Sequence, residues 1–107
     1  MDARTQANME ARAAILKALA HPTRLFMVDE LSRGKRCVAD LAELSGADMS
    51  SVSKHLSLLK AVGLVQDERR GVQVFYSLAA PCVVNFFGCL ESVIQTRIQS
   101  HIELLRK

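Results

Sequence analysis

A chain of 107 residues, half of them hydrophobic and 23% charged, is too apolar for a disordered tail and short enough for one domain, here taken as residues 1–107. Its formal net charge of +3 makes it mildly basic, which suits a nucleic-acid binder without arguing for one alone. A polar first ten residues exclude a secretory signal, no apolar run approaches the ~18 residues of a membrane span, and an odd count of three cysteines argues against a disulfide framework, so the expectation is a cytoplasmic protein with free thiols and no membrane partner.

In chain order, residues 3 to 20 read as a first helix, with Ala11, Ile15, Leu16 and Leu19 on one face. It ends near His21-Pro22, where the histidine reads as a capping or packing residue. Pro22 suits the first turn of a second helix, 22 to 32, carrying Leu25, Phe26, Val28 and Leu31 and stopped by Arg33-Gly34. The stretch VADLAELSG predicts a third helix over 38 to 45. A turn at Gly46-Ala47-Asp48 leads to a fourth over 49 to 61. There Val52, Leu56, Leu59 and Val62 form one buried stripe, which Leu58 broadens. Asp48 is a good N-cap, and Gly63 stands where a helix ends. Leu64-Val65 and the alternating Val72, Val74, Tyr76 and Leu78 read as two strands around a tip of Asp67, Glu68, Arg69, Arg70 and Gly71. A final helix begins at Pro81 and runs to about Leu105.

The fold class is therefore mainly α with a small β-hairpin: a winged helix-turn-helix of about five helices and a two-stranded wing. Helix, turn, helix and basic hairpin is how such a protein meets duplex DNA. Ser50, Ser51, Ser53, Lys54, His55 and Ser57 lie largely off the apolar stripe of the fourth helix. Small hydroxyls let a helix approach the duplex closely, and Lys54 and His55 add donors. Arg69 and Arg70, with Gln73 beyond the turn, are placed to reach phosphates or a minor groove. An ordinary solvated helix face is the plain alternative for residues 50 to 57. The last helix carries Val83, Val84, Phe86, Phe87, Leu90, Val93, Ile94, Ile98, Ile102 and Leu105, more than one stripe. The surplus predicts a homodimer interface, in keeping with two reading helices on a pseudo-palindromic operator.

Taken together, AHPTRLFMVDEL, KRCVADLAELSG, SSVSKHLSLLKAVGLV and RRGVQVFYSL resemble the ArsR/SmtB winged-helix repressors over roughly residues 12 to 80. The resemblance implies a homodimeric bacterial repressor paired through its first and last helices. It would leave its operator when a metal ion, metalloid or sulfur oxidant engages cysteines or other ligands. Cys37 matches the first cysteine of the family's arsenic-sensing motif, but the motif's further cysteines are replaced by Ala39 and Ala42. The zinc-sensing pattern of acidic and histidine ligands on the last helix is not kept by Glu91, His101 and Glu103. Sulfur sensors resembling the family place a cysteine in the second helix near Val28 or Asp29, where this chain has none.

Cys37 precedes the third helix, with Asp40 three residues on, as in a capping box. A helix N-terminus beside Lys35 and Arg36 favours the thiolate. Cys82 and Cys89 share a face of the last helix, but a seven-residue separation at 1.5 Å rise puts their Cα atoms about 10 Å apart, too far for a disulfide. Sharing one ion requires a displaced first turn and a further thiol, from Cys37 or from the second protomer. Thiolates of Cys37, Cys82 and Cys89 suit a thiophilic inducer such as As(III). The same residues read equally as small buried hydrophobes. An enzyme is not expected: there is no C-x-x-C pair, and no nucleophile–base constellation is evident. A persulfide- or redox-sensing repressor, a small thiol oxidoreductase and a winged helix that binds only proteins are the other readings kept.

Overall fold

The computed structural model describes residues 1–106. Its elements in chain order are α1 (Ala3–Leu19), α2 (Pro22–Leu31), β1 (Arg36–Cys37), α3 (Val38–Ser45), α4 (Met49–Ala61), β2 (Val65–Arg70), β3 (Gln73–Leu78) and α5 (Val83–Arg106). The winged helix-turn-helix is there, with one strand more than expected. The two residues of β1 pair antiparallel with β3, Arg36 opposite Tyr76 and Cys37 opposite Phe75, giving a sheet ordered β1-β3-β2.

Helix starts follow local chemistry. Asp2 accepts from the Thr5 N–H at 2.7 Å, His21 caps α2 through Nδ1, and Asp48 accepts from the Ser51 N–H at 2.8 Å. Each satisfies a donor that the first helical turn leaves unpaired. Cys37 caps α3, and the Asp40 carboxylate accepts from its N–H at 3.4 Å, so the capping box is present. Gly46 ends α3 at φ 76°, a left-handed conformation glycine adopts without strain.

Met27, Val28, Leu41, Val52, Leu56 and Leu59 are fully buried and form the centre of one core with Leu19, Leu31, Leu64, Val65 and Leu78. The α4 stripe is the expected one, but Leu58 does not broaden it: that side chain is 51% exposed. In α2 the buried residues are Met27, Val28 and Leu31, while Phe26 is exposed.

The terminal helices reach past this core. The radius of gyration is 17.0 Å, where a compact chain of this size has about 13 Å. In α1 only Ala18 and Leu19 are buried, and α5 buries no residue completely. Val83, Val84 and Phe87 pack on the core, whereas Val93, Ile94, Ile98 and Ile102 stand open to solvent. Three of these, Ile94, Ile98 and Ile102, recur every fourth residue and so share one face. Pro81 and Cys82 precede α5 rather than opening it. They sit in a tighter lead-in turn, where the N–H groups of Val83, Val84 and Asn85 each donate to the carbonyl three residues back. Among the described residues no helix is long and apolar enough to cross a membrane.

Candidate nucleic-acid interface

Helix α3, the Gly46–Asp48 turn and α4 present one outward face. Ser50, Ser53, Lys54 and Ser57 are exposed on it. Ser51 is half-buried and donates its hydroxyl to the Asp48 carboxylate at 3.1 Å, so it completes the cap. Ser57 Oγ donates back to the Ser53 carbonyl at 3.0 Å. Lys54 makes no ion pair among the described residues, which leaves its ammonium available to an external acceptor.

His55 has partners within the chain. Its ring is half-buried, Nδ1 lies 3.1 Å from Nη1 of Arg24, and the ring stands 4.6 Å from that of His21. Burial, with the charges of His21 and Arg24 adding to it, holds the imidazole below the ordinary histidine range. The side chain meets the α1–α2 corner.

The wing also differs from the sequence expectation. The loop is only Gly71-Val72, because Arg70 pairs with Gln73 across the hairpin. Gly71 has φ 62° and Val72 is not in the left-handed region, the pattern of a type II′ turn. Asp67 and Glu68 are therefore strand residues and not part of the tip. Successive strand side chains alternate in direction, so the two acids leave on opposite faces of the ribbon. Each meets a lysine: Asp67 pairs with Lys60 at 3.0 Å, and Glu68 with Lys35 at 2.9 Å. The Lys35 hydrogen bond, with Arg70 adding to it, holds the Glu68 carboxyl below the usual range. Arg69 and Arg70 splay apart for the same reason. Arg70 lies 5.6 Å over the Phe75 ring and 3.4 Å from Glu68, while Arg69 Nε donates to the Gly71 carbonyl at 3.4 Å. Gln73 is exposed and Val72 projects fully at the tip.

The cysteines are dispersed. Cys37 is 8% exposed beneath the α3 start, while Cys82 and Cys89 are exposed. Among the described residues no three cysteine, histidine or acidic side chains come together to hold a metal. Lys35 is drawn to Glu68, and Arg36 folds back on the Lys35 carbonyl, so neither cation turns to the Cys37 thiol as the sequence had suggested.

A helix-turn-helix with a paired-strand wing and an outward lysine and serine face defines a winged-helix regulator. Residues 21–67 match the family described as bacterial regulatory protein, arsR family. The chain is 41% identical over 71 residues to the HTH-type transcriptional repressor SmtB of Mycobacterium tuberculosis, covering 66% of this chain and 53% of that protein, so it matches about half the relative's length. It is 33% identical over 92 residues to the HTH-type transcriptional regulator YgaV of Escherichia coli, covering 85% of this chain and 93% of that one. A homodimeric winged helix-turn-helix DNA-binding domain from Mycobacterium bovis, a possible ArsR-family regulator, superposes with a TM-score of 0.80 at 30% identity over 94% of this chain and 93% of that one. This chain belongs to the ArsR family, whose members are regulatory proteins rather than enzymes.

Proposed function

We propose that the chain is a cytoplasmic, homodimeric transcriptional repressor that reads double-stranded operator DNA through α4 and anchors on it through the wing. In this reading residues 1–107 are a single winged-helix DNA-binding domain with dimerisation helices at both ends. The observation that carries it is the exposed Ser50, Ser53 and Lys54 face beside a wing whose acids pair with Lys60 and Lys35, Glu68 also meeting Arg70, and whose turn is flanked by Arg69 and Arg70. Ser51 and Ser57 supply the same face with hydroxyls, and Gln73 supplies an amide next to the tip. The homodimeric DNA-binding relative from M. bovis and the mycobacterial repressor support the assignment.

Affinity for a duplex selected from a random pool should fall steeply with salt. Lys54→Ala should cost about 1–3 kcal/mol on the preferred sequence if Lys54 reads a base. Arg69→Ala with Arg70→Ala should weaken all sequences alike and flatten the slope of log K against log salt by roughly one per lost phosphate contact. Altered sequence preference with an unchanged slope in the wing variant would contradict backbone anchoring.

The inducer in this proposal is a thiophilic metal or metalloid ion, As(III) by preference, taken by thiolates of Cys37, Cys82 and Cys89. The three thiols of one chain do not meet, so the donor set fits such an ion only if a second protomer contributes or the Cys82 turn moves. Two features support the last-helix pair: both thiols are exposed, and Cys82 stands outside α5 in a turn that lacks full helical bonding. Their exposure equally favours the second reading, in which persulfide or oxidant acts on the same thiols. Operator release should be followed with As(III), Cd(II) and a persulfide donor. Cys82→Ser and Cys89→Ser should each abolish the response while sparing DNA binding. Normal release by both variants would show that sensing lies elsewhere.

A further inference from the structure

Two donor-only groups settle the protonation of two histidines where α1, α2 and α4 meet. The Thr23 N–H lies 3.1 Å from Nδ1 of His21, and Nη1 of Arg24 lies 3.1 Å from Nδ1 of His55. A backbone N–H and a guanidinium donate and never accept, so both Nδ1 atoms are acceptors and each ring carries its proton on Nε2. Arg24 has a second anchor: its Nε donates to the carbonyl of Ala18 at the end of α1. One planar guanidinium thus ties the end of α1 to the middle of α4, with Arg24 reaching His55 across 31 residues of chain.

The charges around this joint are one-sided. Arg24 is the cation set against His55, and a proton on the His21 ring, 4.6 Å away, would add a second. The carboxylates of elements packed on α4 are engaged elsewhere or turned to solvent. Asp29 and Glu30 of α2 pair with Arg33, and Asp40 of α3 accepts from the Cys37 N–H. Glu43 is exposed, Asp48 caps α4, and Asp67 and Glu68 of β2 hold Lys60 and Lys35. Glu10 of α1 accepts from the Gln6 amide, so among the described residues no carboxylate is paired with His55. A proton from solvent at Nδ1 turns the acceptor into a donor that faces a donor, and places a cation against a guanidinium.

We propose that Arg24 is the positioning residue that sets the reading helix against the dimerisation helix α1, and that the joint holds only while His55 is neutral, so that acid weakens DNA reading. The proposal rests on the DNA-reading role argued above. The sign follows from the direction of the shift: the folded joint binds the proton less readily than a solvated histidine does. Nothing is lost above the ordinary value of 6.5, and the arrangement is progressively destabilised as pH falls below it.

The test uses a duplex selected from random DNA with the full chain at about pH 7.5, then measured at about pH 7.5 and about pH 5.5 at constant ionic strength. Wild type should lose roughly ten-fold more affinity over that interval than His55→Gln, whose amide oxygen still accepts but does not titrate. Arg24→Lys replaces a two-armed donor with a point charge and should lose the acid-dependent step as well. Equal pH dependence in wild type and His55→Gln overturns the proposal. The imidazole nitrogen shifts of His55 give a reading free of DNA. A bare Nδ1 at neutral pH is expected, and a protonated Nδ1 overturns the joint even where binding is intact. Should no duplex be selected, the regulator reading fails. The nitrogen shifts, with amide exchange over residues 16–20 and 52–58 in Arg24→Lys, still decide whether the joint exists.

Discussion

Ile94→Glu combined with Ile98→Glu should separate the protomers, leave each one folded, and lower operator affinity by roughly 10²–10⁴-fold. Two half-sites bound by one linked dimer gain that factor over independent binding, because the second contact becomes intramolecular. The side chains are 49% and 50% exposed in the isolated chain and lie outside the core, so nothing in the winged helix depends on them. In a dimer paired through α5 they would be buried, and two carboxylates on each side would then be desolvated beside their symmetry mates. Sedimentation should show monomers, with far-ultraviolet circular dichroism unchanged. A variant that remains dimeric would move the interface off this stripe. A variant that unfolds would show that the stripe supports the monomer after all.

Leu56→Ala should destabilise the protein by roughly 2–5 kcal/mol, the range for removing a fully buried leucine from a core that collapses only partly. Leu56 has no exposed surface and lies in the same cluster as Val52, Leu59, Met27 and Leu41, where three helices converge. For a chain of this size that is a large part of the total stability. Urea denaturation should show a lower midpoint with an unchanged slope. A loss below about 1 kcal/mol would mean that the cavity is refilled by its neighbours. Leu58→Ala, two residues on, is the internal contrast. At 51% exposure it should cost far less.

That contrast shows where the sequence was readable. The spacing of Val52, Leu56 and Leu59 repeats with the helical period, so a local pattern reports their burial. Leu58 is equally apolar, but at about 100° per residue it falls more than 100° from the centre of that stripe, so the same period places it outside. Asp48 was legible as a cap because the interaction spans three residues. His55 was not legible as a joint, because its partner is Arg24 and no periodicity links positions so far apart. The strand β1 is silent in the sequence for a related reason: two residues, Arg36 and Cys37, carry no alternation to detect, and only β3 makes them a strand. Proximity to Gly71 alone puts the wing acids at the tip. The Arg70–Gln73 pairing closes the loop in two residues and moves them into β2. Glycine at the first loop position was the available signal for that shorter turn. The dispersal of Cys37, Cys82 and Cys89 belongs to tertiary structure, beyond what intervals along the chain report.

Cys37 holds two posts at once, as the residue that caps α3 and as the rung opposite Phe75 on the inner strand of the wing. The helix-turn-helix and the hairpin therefore cannot drift independently: they are geared through one residue. A winged helix must span a fixed gauge on the duplex, from the groove its reading helix enters to the backbone its wing touches. In this chain a two-residue strand sets that gauge, and any displacement of Cys37 would change the reach of the hairpin and the pitch of the helix in the same movement.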